Sequence, residues 1–204
     1  MSESLPEKAE PDEPILEGIV VTLDVAGVPN VAPMGPRVDR DLTRLALRPF
    51  QTSQTYQNLK TSGCGVLHVT DDVELLAHAA VGQLELLPPL IRIAGFPCPR
   101  LADACRWLAF KVETLDDSAE RTTIVCRVVS RGELRPFFGF NRAKHAVIEA
   151  AILATRIGIV SSAEIRQEME RLAVPVQKTG GKQERQAFDF LQSYINSQLL
   201  TSDP

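Results

Sequence analysis

The sequence predicts a mainly β protein with added helices, an α+β chain built as an antiparallel barrel followed by a C-terminal helical subdomain. Three observations predict it. Before residue 135, short β-branched or alternating apolar runs recur between turn signals, with no alternation of strand and long helix, which argues against a doubly wound sheet. Two long apolar runs, 107–115 and 121–130, flank the polar turn 116–120 as a hairpin. Near Pro136 the texture changes, and apolar residues then repeat at helical spacing.

The elements follow in order. Residues 1–13 are acidic and contain proline, which predicts a disordered tail, and residues 14–135 form the barrel. Residues 15–25 read as a strand and 26–30 as a turn. The returning strand, 30–38, is interrupted by Pro33, Gly35 and Pro36, so it belongs at an edge or carries a bulge. Residues 39–41 turn the chain into the next strand, 42–47, and the whole reads as a meander of adjacent strands. Ser53 caps a short helix over 53–61, ended by Ser62-Gly63. A strand over 65–70 leads to a helix that Asp71 or Asp72 caps and that runs to Ala80. Residues 84–101, with four prolines, read as a long loop with one short strand at 90–93. The hairpin completes about six strands and two short helices. In residues 136–204, Asn141 caps a helix to Ile157, Ser161-Ser162-Ala163-Glu164 opens a second, and a third carries Phe188, Leu191, Ile195 and Leu199 on one face.

Composition narrows the function classes. The chain has 204 residues, 44% hydrophobic and 24% charged, with a formal net charge of −4. No basic stripe supports nucleic-acid binding, and no apolar run is long enough to span a membrane. With no apolar leader in the first residues, the expected location is cytoplasmic. Cys64, Cys98, Cys105 and Cys126 form no Cys-x-x-Cys pair, which points to reduced core cysteines and no metal site. His68, His78 and His145 are isolated and read as structural or surface histidines.

The candidate chemistry lies at the strand-to-helix junction Arg48-Pro49-Phe50-Gln51-Thr52-Ser53-Gln54-Thr55. Thr52, Ser53 and Thr55 offer hydroxyl and N–H donors at a helix N-terminus, and Arg48 offers a guanidinium fork. That set suits a phosphate monoester; read alone it equally suits a helix cap beside a solvated arginine. A second element is Ala32-Pro33-Met34-Gly35, where a glycine in an apolar strand marks either close approach of a ligand or an edge bulge.

Taken together, Glu17-Gly18, Pro29-Asn30-Val31-Ala32-Pro33-Met34-Gly35 and Leu47-Arg48-Pro49-Phe50-Gln51-Thr52-Ser53-Gln54-Thr55-Tyr56-Gln57-Asn58-Leu59 resemble the FMN-binding split-barrel superfamily, which holds pyridoxamine-phosphate oxidases and flavin reductases. Within it the chain is similar to a domain-of-unknown-function family of small flavoproteins, a likeness extended by Phe138-Gly139-Phe140-Asn141-Arg142-Ala143-Lys144 and by residues 148–156. The resemblance implies a split barrel and a homodimer with FMN at the subunit interface. It places Met34 and Gly35 along the isoalloxazine ring, and Phe50, Thr52, Ser53, Thr55 and Asn58 on the ribityl chain and phosphate. Arg48 is a weaker carry-over, and Asn141, Arg142 and Lys144 are candidates for phosphate or partner contacts. The oxidases' second basic phosphate motif and pyridoxal-binding tail are missing, so the resemblance does not extend to their substrate. The implied function is a redox flavoprotein or an FMN-dependent oxidoreductase of unknown substrate; the alternative is a non-catalytic module for flavin or another planar ligand.

Overall fold

Nine strands and five helices make up the described residues, 13–202, of a computed structural model. The expected disordered tail lies outside them except for Glu13. These residues divide into two units. One comprises the chain up to Thr70 together with Leu87–Pro136; the other comprises Asp71–Leu86 and the chain from Phe137 onward. The sequence reading cuts the chain once, near residue 136, and leaves 71–86 with the barrel; the structure groups that helical segment with the C-terminal helices.

The first unit is a split barrel of seven antiparallel strands: β1 (Gly18–Leu23), β2 (Pro29–Met34), β3 (Arg37–Val38), β4 (Arg44–Leu47), β5 (Cys64–Val69), β8 (Arg106–Asp116) and β9 (Thr123–Glu133). They run in the order β2-β1-β5-β8-β9-β4-β3. The consecutive antiparallel pairings of the expected meander form, β1 with β2 and β3 with β4, but the strand read over 30–38 is not continuous. The prolines of 30–38 do more than bulge one strand: they divide the stretch into β2 and β3, which occupy opposite edges of the sheet. Proline lacks the N–H that a continuous interior ladder needs, so the stretch breaks; β3 pairs with β4 on one side and is bridged to Ile15 on the other, Leu16 N donating to Pro36 O and Val38 N to Pro14 O. A separate two-stranded ribbon, β6 (Leu90–Ile91) with β7 (Arg100–Leu101), orders the ends of the proline-rich loop.

The hairpin β8–β9 forms as expected, with register shifts after Ala109 and Val112. Its inward residues Leu108, Phe110, Ile124 and Cys126 meet Val20, Leu45, Leu47 and Leu67 in the barrel core. Helix α1 (Gln54–Ser62) adds Tyr56 and Leu59 to that core. Ser53 caps it by accepting from Tyr56 N, and Gly63 closes it in the left-handed region at φ 64°.

At Gly18 the neighbouring strand leaves no room for a side chain. A Cβ there would lie 2.3 Å from the backbone oxygen of His68, on the neighbouring strand β5. Gly18→Ala is expected to prise β1 from β5 and cost about 1–3 kcal/mol, in line with overpacking of a tight interior. Urea unfolding followed by Trp107, the single tryptophan of the chain, will read the loss as a lower midpoint.

The second unit packs α2 (Val73–Ala80), α3 (Arg142–Ala154), α4 (Ser162–Thr179) and α5 (Lys182–Ser202) around one core. Ala143, Ala146, Val147, Ala150, Ala151 and Ala154 form the small-residue face of α3, which lets Ile165, Met169, Phe188, Leu191 and Ile195 approach closely. The caps expected at Asp72, Asn141 and Ser161 all form. Helix α3 ends at Ala154, earlier than Ile157, and Gly158 turns the chain beyond it at φ 84°.

Candidate functional site

The junction between β4 and α1 is held from below by the tip of the β8–β9 hairpin. Pro49 O accepts from Thr122 N at 3.0 Å and from Thr122 Oγ1 at 2.9 Å. Arg121 Nε donates to Arg48 O at 3.1 Å, and Gln51 N donates to Glu120 O at 2.9 Å. Gln51 Nε2 donates to Asp117 O and Ala119 O. Gln57 Nε2 then ties α1 back to Gln51 O. The backbone of 48–51 is thus fixed before any ligand arrives, which removes ordering cost from binding.

On this frame the candidate residues divide by exposure. Arg48 and Thr52 are exposed, and among the described residues no carboxylate pairs with Arg48. Phe50 is 52% exposed, with the Arg121 guanidinium 5.5 Å from its ring centre. Ser53 Oγ donates to Phe50 O while accepting from Tyr56 N, so its hydroxyl serves the cap. The first turn of α1 carries no acidic residue, so nothing there opposes an anion at the positive end of the helix.

Thr55 and Asn58 lie on the opposite, buried face of α1. Asn58 Nδ2 donates to Thr22 Oγ1 at 3.0 Å, and Asn58 Oδ1 accepts from Gln54 Nε2 at 2.7 Å. Thr55 Oγ1 accepts from Asn30 Nδ2 at 3.1 Å, and its own hydrogen has no acceptor among the described residues. Both side chains brace α1 against β1 and β2. Thr22 and Asn30 complete that bracing, and no local signal marks them because their partners lie 36 and 25 residues away.

Met34 is half-buried at the end of β2, against the barrel core. At Gly35 the close approach is by the chain itself: a Cβ would meet Ile15 Cγ2 at 2.8 Å and Glu17 Oε1 at 2.9 Å.

The three candidates of the second unit divide in the same way. Asn141 caps α3 through Ala143 N and Lys144 N and donates to Thr179 O. Lys144 donates to Asp71 O at 2.6 Å and pairs with Glu184 Oε1 at 2.7 Å, with both side chains largely buried. Arg142 is exposed.

Two further features lie outside the predicted set. His68 is fully buried, with Nδ1 3.1 Å from Ile19 O and Nε2 accepting from Leu101 N at 2.9 Å. This makes it a structural histidine. The hydroxyl of buried Tyr56 joins Asp117 and exposed Lys60 in a hydrogen-bonded triad that links α1 to the hairpin tip. Among the described residues no group of three or more His, Cys, Asp or Glu side chains is arranged to hold a metal ion. No described helix is long and apolar enough to cross a membrane.

Residues 16–135 match the family model "Protein of unknown function (DUF447) N-terminal domain", and residues 141–193 match "Protein of unknown function (DUF447)". The chain belongs to this family. Membership bears out the resemblance carried by the 29–35, 47–59 and 138–156 motifs.

A crystal structure of an FMN-bound protein matched to the same family model, from Methanosarcina mazei, superposes with a TM-score of 0.76 at 23% identity. The match covers 89% of this chain and 95% of that one, and it establishes the shared split-barrel fold. The flavin reductase of styrene monooxygenase from Pseudomonas putida matches over 60% of this chain and 82% of its own, at 14% identity and TM-score 0.48. Nitrilotriacetate monooxygenase component B from Bacillus cereus matches over 65% and 82%, at 16% identity and TM-score 0.48. No curated protein matches the chain.

Proposed function

We propose that this protein is an FMN-binding flavoprotein that works as a homodimer in a redox step, with the flavin phosphate seated at the start of α1. The observation that carries the reading is the junction itself: a helix N-terminus without acidic residues, next to an exposed arginine and an exposed threonine, on a backbone braced by the hairpin tip. Support comes from the fold shared with the FMN-bound Methanosarcina mazei protein over most of both chains.

The residues present fit a phosphate with a polyol chain. Arg48 supplies the charge, Thr52 a hydroxyl, and the first turn of α1 its N–H groups. Ser53 acts by setting the turn, since its hydroxyl is spent on the cap. Thr55 keeps a hydrogen to give to a ribityl or phosphate oxygen, and Asn58 holds α1 in register with β1. Met34 and the backbone of Gly35 are the surface offered to the ring, and exposed Phe50 is the surface offered to the ribityl chain. Of the helical-unit candidates only Arg142 has a side chain available for a ligand or a partner subunit, because Asn141 and Lys144 are committed within their own unit. When bound, FMN supplies hydride or single-electron transfer, and the protein supplies binding and orientation.

The test begins with the purified protein. A yellow preparation that releases FMN on denaturation, from a particle of twice the chain mass in light scattering, is the expected result. A colourless protein that takes up no added FMN overturns the flavin reading. Reduction of the bound flavin by NADH or NADPH and passage of electrons to an acceptor separates an oxidoreductase from a non-catalytic flavin module. Arg48→Ala is expected to weaken FMN binding by about 1–2 kcal/mol and Thr52→Ala by about 1 kcal/mol, each losing donors to the phosphate. Unchanged affinity in both variants, measured by flavin fluorescence quenching, places the phosphate elsewhere.

A further inference from the structure

Two cysteines that are 34 residues apart in sequence meet in a small cluster on the face of β5 opposite Leu67 and the barrel core. Cys64 Sγ and Cys98 Sγ lie 3.6 Å apart, and both residues are buried. Cys64 opens β5 directly after the Gly63 cap of α1. Cys98 comes from the proline-rich segment 87–101, and it packs with Cys64, Val66 and Ala109 beneath Ile93, Phe96 and Trp107. That segment has little regular structure of its own. The two-residue ribbon β6–β7, the bond from Leu101 N to His68 Nε2 and the Cys98 contact hold it. We propose that Cys64 and Cys98 are a thiol-oxidation site, a dithiol that closes reversibly to a disulfide and locks residues 87–101 onto β5.

The two sulfurs are chemically unequal, which is what such a pair requires. The hydrogen-bond contact with Cys98 Sγ, 3.6 Å away, holds Cys64 below the ordinary thiol range; Ser62 and the charge of Lys111, its register partner on β8, add to this against the effect of burial. Cys98 is pushed up, first by its bond to Cys64 and then by burial. Cys64 is therefore the attacking sulfur and Cys98 the resolving one.

With hydrogen peroxide as oxidant, the Cys64 thiolate attacks one oxygen and the O–O bond breaks. The departing hydroxide takes up the proton Cys64 has given up, leaving water and a Cys64 sulfenic acid. The Cys64 charge that held the proton on Cys98 is then gone. The Cys98 sulfur attacks, the S–O bond breaks, the S–S bond forms, and the second hydroxide leaves as water with the Cys98 proton. Two thiols have lost two electrons and peroxide has gained two. A small thiol reverses the step by exchange.

The other cysteines have different surroundings. Cys126 is fully buried, and burial pushes its thiol up. Cys105 Sγ accepts from Arg135 Nη1 at 3.3 Å.

The experiment needs only the intact protein. It is treated with hydrogen peroxide, its remaining thiols are alkylated, and it is digested without reduction for mass spectrometry. The expected result is one cross-linked peptide joining Cys64 to Cys98, a loss of about two mass units, alkylation of Cys105 and Cys126 only after unfolding, and full reversal by dithiothreitol. The oxidised form is expected to melt higher and to resist proteolysis within 87–101. Cys98→Ala is expected to drive Cys64 on to sulfinic acid under the same treatment. Peroxide that leaves all four thiols intact, that links Cys105 or Cys126 in place of this pair, or that takes wild-type Cys64 to sulfinic acid without a cross-link overturns the proposal. The readout is independent of flavin, so it stands or falls apart from the proposed function.

Discussion

Replacing Lys144 with methionine will destabilise the helical unit by about 3–5 kcal/mol, the usual cost of leaving one member of a buried ion pair without its partner. Lys144 on α3 and Glu184 on α5 meet at 2.7 Å with side chains 13% and 10% exposed. Lys144 also holds the carbonyl of Asp71 at 2.6 Å, ahead of α2, so a single ammonium joins three helices at one point. Burial pushes the Glu184 carboxyl up, but the bonds from Lys144 and from Gly181 N–H outweigh it and hold the group below the ordinary range. In the wild type, Glu184 therefore adds stability above the ordinary carboxylate range, and that stability is lost as pH falls through its folded value. Without Lys144 the burial is opposed by backbone N–H bonds alone, and the charged form becomes the costly one. The deficit of Lys144→Met should then shrink as pH is lowered toward about 4, because the stranded carboxylate is relieved by a proton. Adding Glu184→Gln to Lys144→Met should recover most of the loss, and circular dichroism at several pH values measures both effects. A pH-independent deficit of under 1 kcal/mol would mean that this pair is solvated.

The features legible in the sequence are those that local chemistry decides. Ser53, Asp72, Asn141 and Ser161 each cap the helix that follows, because a side-chain oxygen within three residues of unsatisfied N–H groups does so wherever the chain goes next. The β8–β9 hairpin was legible because its turn and its alternation are contiguous. Strand order was not, since β2 and β3 are three residues apart in sequence and at opposite edges of the sheet. The candidate site divides along the same line. Arg48 and Thr52 sit where a helix-start reading puts them, exposed. Thr55 and Asn58 enter the candidate set through the family resemblance, Thr55 also through its hydroxyl near the helix start; the structure adds that they face inward, to Asn30 and Thr22, and nothing within a few residues of α1 announces those partners. Asn141 and Lys144 are candidates through the resemblance carried by 138–144, and Thr179 and Glu184, some 40 residues on, engage them.

Long-range partnership also fixes how the barrel responds to acid. Lowering the pH from 7 to 4 will cost the barrel about 3 kcal/mol through His68 alone. Burial among β1, β5 and β7 depresses His68 to about 4; the bond to Ile19 O opposes the shift, and the nearby charge of Arg100 adds to it. The hydrogen bonds agree with a neutral ring. Leu101 N donates to Nε2, so that nitrogen carries the lone pair, and the proton sits on Nδ1 facing Ile19 O. In the unfolded chain the ring takes a proton near 6.5, the ordinary value, while the folded barrel refuses it until about 4. The unfolded state thus binds more protons across that interval. Stability is full above 6.5, declines steadily below it, and levels off once the folded form also protonates. At that point a proton on Nε2 faces the Leu101 N–H, two donors oppose each other, and β7 loses its hold on β5. Urea midpoints read from Trp107, the register partner of His68, should fall across this window in the wild type. They should stay nearly flat in His68→Gln, whose amide donates and accepts without titrating. It is the slope that carries the test, since the variant's absolute stability also includes any packing defect. Equal slopes in the two proteins would show that the buried ring takes its proton as readily folded as unfolded, which the Leu101 bond forbids.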